Sequence, residues 1–167
     1  MLIGIGSDHL GLDLKHALVH QLAQRGYDVR DFGTRSHQPV DYPDIAVMVA
    51  EAVRAGMVER GILVCGSGLG MAIAACKVGG ILASPVSDIY TARLARERNH
   101  TQIISLGANV VGPGLAGSIA EAWLSAEFQY GDSARKVAKI LALDERHRPL
   151  DLPIPAWEEP LWEARHC

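Results

Sequence analysis

Apolar residues along this chain switch repeatedly between two spacings. Residues 2–7, LIGIGS, form a short apolar run ending in a polar residue, the pattern of a buried strand. From Gly11 to Arg25 the spacing lengthens: Leu14, Leu18 and Leu22 share one helical face, His16 and His20 lie on the other, and Gly26 supplies the stop. The alternation continues as YDVRDFG (strand), DIAVMVAEAVRAG (helix), RGILVCG (strand), LGMAIAACK (helix), GILASP (strand), DIYTARLARERN (helix) and TQIISLG (strand). Alternation over about a hundred residues predicts a parallel sheet covered on both faces. The expected fold is α/β, a Rossmann-like three-layer αβα sandwich with a five-stranded parallel sheet.

Two helical patterns follow the last strand. Leu115, Ile119 and Trp123 share one face, and Val137, Ile140 and Leu141 share another after a break at Gly131-Asp132. Helices with more apolar surface than one small sheet can cover predict a docking surface. The tail, RPLDLPIPAWEEPLWEARHC, holds four prolines and two tryptophans, too many prolines for a regular helix and too much apolar surface for a free linker. The chain therefore divides into one domain over residues 1–145 and an extended arm over residues 146–167, expected to lie on this subunit or a neighbour.

Composition narrows the class of function. A chain of 167 residues, 49% hydrophobic and 21% charged, has one good core and is not disordered. Its net charge of −3 argues against nucleic acid or an anionic membrane as partner and for small-molecule work. No apolar segment approaches the roughly 18 residues of a membrane span. The N-terminus lacks a basic region and interrupts its apolar run at Asp8 and His9, so a signal peptide is not expected. Three scattered cysteines, Cys65, Cys76 and Cys167, do not make a disulfide framework, and a cytoplasmic location is expected.

In an open α/β sheet, ligands bind beyond the carboxyl ends of the strands. Ser7-Asp8-His9, the segment Cys65 to Gly70, and Asn109 all fall at such ends and are expected to converge on one crevice. The loop GSGLGM lacks Gly-x-Gly-x-x-Gly spacing and follows the third strand, so it is a poor dinucleotide fingerprint; it also lacks the Lys-Ser/Thr pair of a phosphate loop. No nucleotide cofactor is expected. A further reading is a nest of backbone N–H groups that favours an anionic ligand or intermediate and, beside it, the thiolate of Cys65. Against it stands the plain alternative that Cys65 is a small buried residue closing a core strand. His16 and His20 have metal-pair spacing but no third ligand, and read better as a solvated helix face, so no metal is expected. Cys76 reads as packing, and His37, His147 and His166 carry no signal.

The segments SDHLGLDLKHALVHQLAQRGYDVRDFGT, DYPDIA, GILVCGSGLGMAIAACKVGGI and NHTQIISLGANVVG together resemble the ribose-5-phosphate isomerase B and galactose-6-phosphate isomerase family over roughly residues 1–145. The resemblance implies an aldose–ketose isomerase that works without metal or cofactor. On it, Cys65 is the base that shuttles a proton between C1 and C2 of an open-chain sugar, and Ser67 is a second catalytic residue. The amides of the loop Gly66, Gly68, Leu69 and Gly70 stabilise the enediolate. Asp8, His9 and Tyr42 contact the substrate, and Asn99 contacts its oxygens from a partner subunit. The implied assembly is a homodimer or dimer of dimers with sites at the interface.

The chain departs from the family pattern at three places. Arg98 stands where the family usually has the histidine that opens the sugar ring, and an arginine cannot take up a proton at neutral pH. Asn109 and Asp132 stand where the family often has phosphate-binding arginines, while Arg135 and Lys136 keep positive charge nearby. Either His9 or His100 replaces the ring opener, with Arg98 turned into an anion clamp, or the substrate needs no ring opening. A tetrose 4-phosphate fits the latter, because its O4 is esterified and cannot close a furanose. The expected substrate is a small phosphosugar, ribose 5-phosphate or a close relative; the alternatives are a tetrose 4-phosphate, an unphosphorylated sugar, or a non-catalytic sugar-binding subunit.

Overall fold

The computed structural model describes residues 1–146, a parallel sheet with helices on both faces. In chain order the elements are β1 (Leu2–Ser7), α1 (Leu12–Gln24), β2 (Asp28–Asp31), α2 (Tyr42–Arg54), β3 (Arg60–Cys65), α3 (Leu69–Ala75), β4 (Ala83–Pro85), α4 (Ile89–Glu97), β5 (Ile103–Gly107), α5 (Pro113–Leu124) and α6 (Asp132–Arg146). The five strands lie in the order β2-β1-β3-β5-β4, every pair parallel. The order reverses direction at β1 and β3, which puts the carboxyl ends of β1, β3 and β5 side by side.

Side-chain alternation along β3 sorts its residues between two cores. Ile62 and Val64 point into the cluster built with α1, α4 and α5; Leu63 and Cys65 point into the cluster built with α2 and α3. Which face Cys65 takes is thus decided by the strand pleat. In the first core Leu18, Leu22 and Trp123 are wholly buried, and the Trp123 indole donates to Thr101 Oγ1 over 3.2 Å. Truncating either leucine to alanine costs about 3 kcal/mol in such surroundings.

Two strands are shorter than their apolar patterns. β2 ends at Asp31, because the backbone at Gly33 turns onto Ser7; a Cβ there would collide with Ser7 N. β4 keeps only Ala83–Pro85, where proline removes a donor at the sheet edge. The helices after the sheet divide differently from the expectation. Ile119 and Trp123 of α5 are spent in the main core while Leu115 is exposed, and the surplus apolar surface lies on α6, where Val137 is buried but Ile140 and Leu143 are exposed. His16 and His20 are exposed on α1, as a solvated face requires. The arm expected over 146–167 lies outside the described residues except for Arg146, the last residue of α6.

Candidate active site

Cys65 ends β3, 5% exposed as a residue, facing a cleft at the carboxyl edge of the sheet. The amide of Gly68 donates to its Sγ over 3.1 Å. Gly68 has φ +80°, and a Cβ on it would meet Gly107 N and Leu106 C at 3.0 Å, so the loop closes over the sulfur only with glycine there. The Ala108 amide bonds to Cys65 O (2.7 Å) and the Asn109 amide to Gly66 O (3.0 Å), which ties the glycine loop to the end of β5.

Asp8 enters from the end of β1. Its Oδ1 accepts from the amides of Leu10 (3.0 Å) and Gly11 (2.9 Å) and so holds the entry to α1, whose N-cap Gly11 has no side chain to do so. Tyr42, the first residue of α2, lies against Gly70 so closely that a Cβ on Gly70 would stand 2.7 Å from the ring. Ser67 Oγ accepts from the Leu69 amide (3.3 Å). The cleft these groups enclose measures about 500 Å³ and is lined by Asp8, Tyr42, Cys65, Gly66, Ser67, Gly70 and Asn109, with Leu10 and Val110 as apolar walls. Among the described residues no cationic side chain lines it.

A profile of the Ribose/Galactose Isomerase family matches residues 3–140. The chain belongs to that family. Among its relatives, the ribose-5-phosphate isomerase B of Escherichia coli K12 is 44% identical over 86% of this chain and 97% of its own length. The D-erythrulose-4-phosphate isomerase of Pectobacterium atrosepticum is 47% identical over 83% of this chain and 91% of its own. The solved ribose-5-phosphate isomerase B of Clostridium thermocellum superposes with a TM-score of 0.86 at 50% identity, covering 87% of this chain and 99% of that one.

The residues that resemblance to this isomerase family singles out do not all meet in one place. Asp8, Tyr42, Cys65, Gly66, Ser67, Gly70 and Asn109 line one cleft, and Gly68 and Leu69 complete its loop. Arg98 and Asn99 do not join them. They are exposed at the end of α4, which runs back toward the start of β5, so they stand at the other end of the sheet from their own Cys65. The segment leading to α6 joins them there: the Gln129 amide bonds to Glu97 O (2.9 Å) and the His100 ring packs on Phe128 at 4.5 Å. Arg135 and Lys136 are exposed early in α6, and Arg135 lies 4.0 Å from Asp132.

His100 follows the same geometry and so does not reach its own chain's cleft. It adopts φ +54° in the turn after α4, its Nδ1 is buried without a partner, and burial with the nearby Arg96 and Arg60 guanidinium groups pulls its pKa below 6.5. His9 is half-buried beside the cleft and not among its lining residues. Cys76 is exposed and exchanges hydrogen bonds with the Ala83 backbone, donating to O (3.4 Å) and accepting from N (3.3 Å). Among the described residues no group of three or more His, Cys, Asp or Glu side chains is disposed to hold a metal ion, and no helix is long and apolar enough to cross a membrane.

Lys15 is the residue that motif reading passes over. It is wholly buried, and its Nζ donates to both carboxylate oxygens of Asp31 (2.9 and 2.7 Å) and to Thr34 O (2.6 Å), pinning the start of the loop that leads to Tyr42. The available signal was its place three residues before Leu18 and seven before Leu22, on the apolar stripe of α1.

Proposed function

We propose that this chain is an aldose–ketose isomerase that carries a proton between C1 and C2 of a short phosphosugar, with Cys65 as the base. The observation that carries this reading is the Cys65 sulfur held at the cleft wall by the Gly68 amide, with the Ser67 hydroxyl and the Asp8 carboxylate in the same cleft. As a thiolate, Cys65 takes the proton from C2 of the open-chain aldose; the C–H electron pair forms the C1–C2 double bond and the carbonyl oxygen becomes the enediolate. Donors from the loop Gly66–Gly70 and the Ser67 hydroxyl face that charge in a space from which Leu10 and Val110 help exclude water. The thiol then returns the proton to C1, the proton of the O2 hydroxyl passes to the O1 oxyanion, and the ketose results with Cys65 again a thiolate.

The phosphate requires cations that the described residues of the cleft do not supply. Arg98 stands at the other end of the sheet, where the segment leading to Arg135 and Lys136 is bonded to the end of α4 through Gln129 and Glu97 O, so two copies that pair with opposed ends bring one chain's cations toward the other's Cys65. The exposed Leu10, Leu69, Ile73 and Val110 around the cleft give that homodimer apolar surface to bury. The location proposed is the cytoplasm, where Cys65 and Cys76 remain free thiols.

Two substrates have support. Arg98 in the place of the family's ring-opening histidine favours a tetrose 4-phosphate, which is already open, and one relative is a D-erythrulose-4-phosphate isomerase. Ribose 5-phosphate is the second reading, favoured by the ribose-5-phosphate isomerase B relatives. A turnover screen over ribose 5-phosphate, allose 6-phosphate, erythrose 4-phosphate and their unphosphorylated counterparts, run in deuterium oxide, tests both. Isomerisation with deuterium entering C1 or C2 is the result expected; turnover of unphosphorylated sugars alone removes the phosphosugar reading, and binding without exchange makes the chain a sugar-binding subunit.

A further inference from the structure

We infer that Arg60 is a positioning residue that works in trans: it holds the segment that carries one chain's cations toward the cleft of a partner copy, and touches no substrate itself. The inference rests on the homodimer and isomerase readings above. Arg60 begins β3 and Cys65 ends it, so the two stand at opposite ends of one strand, about 16 Å apart. Arg60 is 5% exposed, and its guanidinium lies against the end of α5 rather than in its own chain's cleft.

Its Nη1 donates to Trp123 O (2.8 Å) and Leu124 O (2.9 Å), and its Nη2 donates to Ala126 O (3.2 Å) and lies 3.6 Å from the Glu127 carboxylate. The last turn of α5 has no basic residue of its own, so the sheet supplies the cation that its free carbonyls favour. The guanidinium also lies over the Trp123 ring at 5.4 Å, and that indole donates to Thr101, which follows the turn after α4. α5 stays docked without this help, since Ile119, Ala120 and Trp123 are wholly buried. What depends on Arg60 is the segment beyond, residues 125–131, where Glu127, Gln129 and Tyr130 are exposed. From there Phe128 packs on His100 and the Gln129 amide bonds to Glu97 O, the two residues that flank Arg98 and Asn99. Gly131 then turns the chain, with φ +79°, into α6 and its Arg135 and Lys136. One side chain thus fixes the segment that both groups of cations share. Its loss leaves each cation in the chain but poorly aimed, which weakens the hold on an anionic sugar more than it alters the proton transfer at Cys65.

Mixed dimers of the full chain, isolated with a different tag on each copy, separate action in trans from action in cis. Arg60→Met is expected to raise KM about tenfold with kcat within about twofold of wild type. In a dimer of one Arg60→Met chain and one Cys65→Ser chain, the working Cys65 faces a partner whose Arg60 is intact, and KM should return to the wild-type value. With both changes in one chain and a wild-type partner, the working Cys65 faces the disturbed segment, and the loss of about tenfold should persist. The reverse pattern, or one KM for both mixtures, overturns the inference. Should Arg60→Met not fold, Arg60→Lys stands in: its single ammonium can serve the helix carbonyls but not Ala126 and Glu127 as well, and the same pattern is expected at about threefold. The physical arm needs no substrate: amide exchange at Gln129 should accelerate about tenfold in Arg60→Met and less in Arg60→Lys, with Ala120 inside α5 unchanged. Gln129 exchange indifferent to Arg60 overturns the inference as well. A wild-type chain that turns over no sugar fails the isomerase reading alone, since the exchange arm still decides what Arg60 holds. A wild-type chain that sediments as a monomer overturns the homodimer and the trans role together.

Discussion

The backbone amide of Gly68 donates to the sulfur of Cys65 across 3.1 Å, and the left-handed conformation of Gly68 is what aims it there. The backbone of β5 fills the space on the other side, at Gly107 and Leu106, so neither partner can give way without disturbing the sheet. Gly68→Ala is expected to cost about 2 kcal/mol or more in denaturant unfolding and to lower kcat at least tenfold. Gly114→Ala serves as control, because a Cβ there meets nothing within 4 Å in an exposed part of α5. Equal stability and turnover in both variants would remove the amide–sulfur contact from the mechanism.

Cys65→Ser keeps a side chain of similar shape and takes away the base. Isomerisation is expected to fall about a thousandfold, with solvent deuterium no longer entering the sugar, while the far-ultraviolet circular dichroism stays unchanged. Activity within tenfold of wild type would show that another group moves the proton.

Lys15 and Asp31 make the pair that joins α1 to the end of β2, with Thr34 O as the third partner. Lys15→Met keeps the length of the stem but leaves the Asp31 carboxylate and a carbonyl without their cation. About 3 kcal/mol of stability should be lost, and Lys15→Met with Asp31→Asn should lose less than Lys15→Met alone. Equal losses in the single and double variants would mean that the stem packs and the charge does nothing.

Cys65, Asp8 and Asn109 could be placed in one crevice from the chain alone because each ends a strand, and in a parallel sheet strand ends share an edge. Lys15 could not, since a lysine on an apolar stripe reads as a surface residue until its partner Asp31, 16 positions away, is seen to meet it. The same limit applies to His9, whose Nδ1 accepts the Val40 amide over 3.3 Å: that bond spans a loop without periodicity, so no spacing rule reaches it. Arg98 shows a different gap. Its motif was legible, but the direction of α4 carries it away from its own Cys65, and in the proposed homodimer a second copy brings the two together. Motifs report which residues belong to a site; topology decides which chain's site that is.

Acid should weaken the fold through His100. Burial and then the charges of Arg96 and Arg60 lower its pKa in the folded state below the 6.5 of a free histidine. Between those two values the unfolded chain binds more protons, so stability is full above about pH 6.5 and falls as the pH drops through the unfolded value toward the folded one. The thermal midpoint should decline over that window, and His100→Gln, which cannot titrate, should flatten the decline. A decline of the same size in His100→Gln would place the acid-sensitive group elsewhere.

Arg98 gives the sharpest test of how the substrate is chosen. An arginine side chain is a fixed cation that can bind a phosphate but cannot accept the proton of a ring hydroxyl. Arg98→His exchanges a fixed cation for a group that titrates near neutrality. Turnover of ribose 5-phosphate, which must open its ring, should therefore rise, by about tenfold or more if ring opening limits the rate. Turnover of erythrose 4-phosphate, which has no furanose to open, should fall through a higher KM as the cation is lost. Kinetics on the two sugars side by side separate the roles: a fall on both shows that Arg98 acts only as an anion clamp, and no change on either shows that it does not reach the partner's cleft.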